Sequence, residues 1–179
     1  MKIKHQFSGK SLSELKEEFG MGDEGFWGSW WFNESFAKEK PPKGVYEIDF
    51  EKQLTNLTYD QQRGKLPKGF DFPHPAILAE AILVHYKKTR ERLLEDWWSR
   101  TSVQSSDGYF VYVGLFDSDG LDVPRDTRDD TDSGLGVCPS RLVSRKLGEL
   151  DTSLDSSVLD RLEVLEDKLA RISEILNEK

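Results

Sequence analysis

Between Phe26 and Phe32 the chain places five aromatic side chains in seven residues: Phe26, Trp27, Trp30, Trp31 and Phe32. One strand cannot turn them all into one core, because successive side chains point to opposite faces. A fold that accepts this segment packs it from two sides or leaves part of it to a ligand or partner. Trp27, Trp30 and Trp31 are the candidate contact residues. A flat ring next to glycine covers a bound molecule and lets the backbone approach it closely. The competing reading is two-sided packing between a sheet and the residues around Trp97 and Trp98.

Local signals around this segment divide the chain into elements. Ser11-Leu12-Ser13-Glu14 is a capping box and predicts a helix over 12–19, stopped by a left-handed Gly20. Pro41-Pro42-Lys43-Gly44 forces a turn. After Val45, the run Tyr46-Glu47-Ile48-Asp49-Phe50 alternates apolar and polar, which predicts a strand with Tyr46, Ile48 and Phe50 on one face. Thr58-Tyr59-Asp60-Gln61 is a second capping box, opening a helix that ends near Gly64. Pro75 starts the strongest helix, 75–92. Its apolar arc is Ile77, Leu78, Ala81, Ile82, His85 and Tyr86, with Glu80, Lys87 and Glu91 opposite. Leu93, Leu94, Trp97 and Trp98 should pack beside it. Residues 109–124 read as a hairpin turning at Asp119-Gly120 with positive φ at both positions. Residues 136–138 and 141–143 add a short edge strand.

The last segment follows another rule. From Asp155 to Glu178 there is no glycine or proline. Val158, Leu162, Leu165, Leu169, Ile172 and Leu176 alternate by four and three, the seam of a coiled coil. Such a narrow apolar stripe needs a partner, either the body of its own chain or, as its narrowness favours, a second copy of the helix in a dimer or trimer. The organisation expected is a globular domain over 1–146, a linker over 147–153 and an oligomerisation helix over 154–179. The fold class expected is α+β: a small antiparallel sheet, with 45–50 and the 109–124 hairpin, packed by the central helix and followed by the coiled coil.

Charge narrows the function. The chain carries a net charge of -8, so coating of double-stranded nucleic acid, which needs a dense basic surface, is not expected. The N-terminus has no apolar signal core and no apolar run reaches membrane-spanning length, so no membrane insertion is expected. Cys138 is the only cysteine, consistent with a cytoplasmic protein and no intrachain disulfide.

Several patterns carry possible chemistry. Seven aspartates fall within 117–132. Asp117, Asp119, Asp122, Asp129 and Asp130 are the candidate ligands of a Ca²⁺ or Mg²⁺ ion, because hard cations take several oxygens converging from a turn. The spacing does not follow the EF-hand, and turn formation explains the same Asp and Gly residues. Gly9-Lys10-Ser11 resembles the end of a phosphate loop, but Lys4 stands where its first glycine belongs. His85 reads as a core histidine and Cys138 as a small buried hydrophobe. The basic stretch 87–92 together with the tryptophans offers a single-strand nucleic-acid surface, against a solvated helix end.

With no coherent catalytic set beside a heptad seam, the chain reads as a non-enzymatic binding or assembly protein. It would self-associate through its tail and need no cofactor. Two alternatives stand beside it. One is a divalent-cation-dependent enzyme using 117–132. The other is a ligand or single-strand nucleic-acid module using 26–32.

Overall fold

The structure, a computed structural model, describes residues 1–144. The coiled-coil seam Val158, Leu162, Leu165, Leu169, Ile172 and Leu176 and the linker 147–153 lie outside the described residues. Met1–Arg145 form one compact unit.

The chain opens with a strand, β1 (Lys2–Phe7), not expected from the sequence. Its inward residues are His5 and Phe7, so the alternation is present but carried by a histidine. Helix α1 (Leu12–Phe19) follows, with the Ser11/Glu14 capping box formed in both directions. Gly20 ends it at φ +77° and ψ -160°, a positive φ without the left-handed helical conformation. The aromatic segment then splits into a two-residue strand, β2 (Phe26–Trp27), and two 3₁₀ turns, Trp30–Asn33 and Ser35–Lys38. Strand β3 (Gly44–Asp49) alternates as expected and turns Tyr46 and Ile48 inward. Thr58 and Gln61 cap α2 (Tyr59–Lys65) reciprocally.

Helix α3 (Pro75–Thr89) is capped by His74, whose Nδ1 accepts the Ala76 N–H at 3.2 Å. It stops at Thr89 rather than at 92, because Arg90 adopts φ +63°. It is buried nearly all round along its first half and touches strands of both sheets, so Glu80 is enclosed rather than solvated. Leu93, Leu94 and Trp97 join its core. Trp98 instead begins β4 (Trp98–Gln104), a second unexpected strand. The sequence WSRTSVQ hides it, because Ser99, Arg100 and Thr101 are buried polar residues.

The hairpin joins β5 (Phe110–Asp117) to β6 (Gly120–Asp122). Its two turn residues are Ser118 and Asp119, one position earlier than expected, and of Asp119 and Gly120 only the glycine has positive φ, +121°. A side chain at Gly120 would meet the Gly22 carbonyl oxygen at 2.6 Å, so glycine there lets the hairpin lie against the glycine-rich segment. The acidic stretch contributes β7 (Arg125–Asp126), and the chain continues through β8 (Leu135–Val137) to β9 (Ser140–Ser144).

The fold is α+β, with three helices and two sheets among the described residues. The expectation of one small antiparallel sheet is corrected. Strand β3 pairs with β1 and β9 in a three-stranded antiparallel sheet. The hairpin belongs to a six-stranded sheet ordered β2-β6-β5-β4-β8, with β7 along β5. This sheet is mixed, because β2–β6 and β4–β8 run parallel. The single edge strand expected at 136–143 is likewise two strands, one in each sheet, divided at Pro139. Both faces of β5 are covered. Val111 and Val113 enter the main core with α3, while Phe110 and Tyr112 enter a second core with Tyr59, Phe72, Leu135 and Val137.

Candidate functional site

The three candidate tryptophans have three different fates. Trp31 is 0% exposed and meets Phe26 and Phe32 edge-on at 5.3 and 4.7 Å. Trp30 is half-buried. Its Nε1–H donates to the Val123 carbonyl at 2.6 Å, and the Arg125 guanidinium lies 4.4 Å from its ring. Trp27 is 53% exposed. Two-sided packing therefore absorbs most of the segment, and the three rings do not form one platform. The basic stretch nearby is also engaged, with Arg90 paired to Glu24 and Arg92 to Asp23.

The candidate cation ligands are spread out in the same way. Asp117 Oδ1 accepts the Asp119 N–H at 2.8 Å, closing the hairpin turn. Asp122 is 8% exposed and accepts the Trp98 indole N–H at 3.2 Å. Burial pushes its carboxyl above the usual range, against the lowering effect of that bond. Asp129 is exposed, and the Asp130 backbone carbonyl accepts from buried Arg100. Asp126 and Asp132 each accept a backbone N–H two residues on or less. Among the described residues no group of three or more His, Cys, Asp or Glu side chains is placed to hold a metal ion.

Sequence reasoning missed the tightest polar cluster. Glu80, only 4% exposed, receives His5 Nε2 at 3.0 Å and the Ser8 N–H at 3.0 Å on one oxygen. Its other oxygen receives the Ser8 hydroxyl at 2.5 Å. Burial pushes this carboxyl up, but the bonds from His5 and Ser8 outweigh it and hold the group below its ordinary range. Serine and histidine both bind the carboxylate and not each other, so this is a clamp on β1 rather than a nucleophile–base relay. The buried, satisfied histidine is thus His5. His85 is half-buried, with Nε2 at 3.3 Å from Glu91. A strand does precede Gly9-Lys10-Ser11, yet Ser11 is occupied by its capping box and Lys10 by Glu18 at 2.8 Å.

An opening lies beside β9. It is a cleft of about 890 Å³ whose walls include Tyr46, Phe70, Phe72, Ile77 and Leu142, with His74 and Arg141 among its polar groups. Burial lowers the His74 pKa more than Glu39, 3.4 Å away, raises it. The Nδ1 lone pair is taken by the Ala76 N–H, and Nε2 faces Glu39, so neither ring nitrogen is free as a base. Arg141 pairs with Glu47 at 2.6 Å and lies over the Phe70 ring at 4.7 Å. Ser140 exchanges both backbone hydrogen bonds with Asp71, each 2.9 Å, on the side away from β3. The ladder alternates from Ser140 to Leu142 before its register shifts between Tyr46 and Val45, so the Leu142 N–H turns to that same side, beside the cleft.

Cys138 is fully buried, and its thiol is pushed up by burial, which disfavours the nucleophilic thiolate. No helix among the described residues is long and apolar enough to cross a membrane. Comparisons with protein-family models, with curated proteins and with solved structures find no match to this chain.

Proposed function

We propose that the protein is a partner-binding assembly module. Its body takes an extended polypeptide segment into the cleft beside β9, and its tail makes it multimeric. The observation that carries this reading is the cleft itself. At about 890 Å³ it has the size of a ligand site. One side offers the strand-edge N–H of Leu142 and the others offer aromatic walls. An added strand uses that combination: its backbone pairs with the edge, and an apolar side chain fills the space between Tyr46, Phe70 and Phe72.

The polar groups favour binding over catalysis. His74 caps α3, Arg141 holds Glu47, and the Tyr46 hydroxyl donates to the Pro42 carbonyl at 2.8 Å. Each serves the fold. Multimerisation is supported by the seam Val158, Leu162, Leu165, Leu169, Ile172 and Leu176, which a lone helix would leave in water.

The test titrates the ¹⁵N-labelled full chain with a capped hexapeptide alternating serine and leucine. Saturable shifts at Leu142 and its neighbour Arg141 are expected, and Leu142→Pro, which removes the edge N–H, should abolish the Arg141 response with the fold intact. Shifts elsewhere, or an unchanged response in the variant, overturn the cleft reading. Sedimentation of the full chain should show a dimer or trimer and Leu165→Asp a monomer. A monomeric full chain overturns the assembly half alone.

A further inference from the structure

A second, smaller opening of about 240 Å³ is lined by Trp98, Tyr112, Pro124, Arg125, Asp126, Asp130, Asp132 and Leu135. None of these residues lines the cleft beside β9, so the following does not rest on the peptide reading. Two aromatic rings and three carboxylates share one hollow. The carboxylates are too dispersed to gather on one metal ion. Dispersed negative charge around aromatic faces suits a larger, softly hydrated cation.

The charge balance points the same way. Arg100 is 0% exposed, and its guanidinium donates to the Arg128 and Asp130 carbonyls, 5.2 Å from the Tyr112 ring. It offsets one of the three carboxylates. Arg125 is turned to Asp107 at 2.8 Å and to the Trp30 ring at 4.4 Å. With Arg125 at the rim paired to Asp107, the hollow keeps an excess of negative charge. The fold itself shows that the Tyr112 face accepts a guanidinium. The Trp98 ring is fixed by its N–H bond to Asp122 at 3.2 Å, and a carboxylate acceptor makes the indole face more electron-rich.

We infer that this hollow binds the basic side chain, arginine or lysine, of a protein partner. Its positive end sits among Asp126, Asp130 and Asp132, and its alkyl stem lies on Trp98. Asp122 is a positioning residue that holds the ring.

The experiment uses the full chain and follows the Trp98 indole signal by NMR. The probe is N-acetyl-arginine methylamide, with the uncharged citrulline analogue as control. A saturable shift with arginine only, weakened by added salt, is expected. Asp130→Asn and Asp126→Asn should each weaken it by roughly five-fold, the scale of one screened charge contact. Both side chains reach the surface, so the variants should fold, and their melting temperatures check this. Tetramethylammonium stands for a free amine ligand and should bind more weakly than capped arginine. An equal response to the citrulline analogue overturns the inference, as does tighter binding of tetramethylammonium. So does Ca²⁺ shifting the same signal at lower concentration than arginine, or an unchanged response in both variants.

Discussion

Glu80 and Asp122 are both carboxylates removed from water, and their surroundings treat them in opposite ways. Glu80 faces the turn after β1, where a histidine ring, a backbone N–H and a hydroxyl all donate to it. Asp122 sits on β6 with an indole N–H and the Val123 N–H as its donors and the like charge of Asp117 nearby. Desolvation acts on both. Donors outweigh it at Glu80, whose pKa falls, and do not at Asp122, whose pKa rises. The first region is a structural clamp. The second is a buried carboxylate that fixes the Trp98 ring through its indole N–H.

The largest effect that would break this contrast is at the clamp. Glu80→Ala leaves His5 and Ser8 facing an apolar helix and should cost about 3–5 kcal/mol, read as the loss in urea unfolding at pH 7. A loss under about 1 kcal/mol would mean that Glu80 is merely enclosed.

Acid should act on the two groups with opposite sign. The folded pKa of Glu80 is depressed. Its stabilisation is therefore complete above the ordinary glutamate range and lost as pH falls through the lower folded value. The difference in stability between the natural chain and Glu80→Gln should shrink in that window. The folded pKa of Asp122 is raised. Its penalty is therefore present above that raised value and disappears as pH falls toward the ordinary aspartate range. A parallel pH profile for Glu80→Gln and Asp122→Asn would refute the contrast.

Asp122→Asn keeps an acceptor for Trp98 and removes the buried charge. It should change stability at pH 7 by about 1 kcal/mol or less, toward greater stability. A loss of several kcal/mol would show that the ionised form is needed by the fold. The smallest effect is at Trp27, paired with Asp122 across β2 and β6. Trp27→Ala should stay within about 0.5 kcal/mol, as for an exposed side chain without a packing role. A larger loss in thermal unfolding would place Trp27 in the folded core's energetics.

Much of the helical frame was legible because its signals are local. The Ser11/Glu14 and Thr58/Gln61 boxes act within one turn, and both form as written. Strand β3 was legible because its alternation faces one core. Strand β4 was not, since its buried residues are polar and their partners are remote. Thr101 Oγ1 donates to the Val111 carbonyl at 2.7 Å, and Ser99 Oγ accepts the Cys138 N–H at 2.8 Å. The acidic residues were visible as a group, but the aromatic floor that gives three of them a shared hollow was not.

By itself the sequence determined the helix starts, the one-sided strand, the hairpin and the excess of negative charge around it. Each follows from propensity, capping or alternation over a few residues. Tertiary structure alone decided that β3 and β5 join different sheets, that Glu80 is clamped inside while Trp27 stays outside, and that a cleft opens along β9. Those outcomes depend on which distant segments meet. Pairing such as His5 with Glu80 lowers the energy of a polar group only once the chain between them has closed.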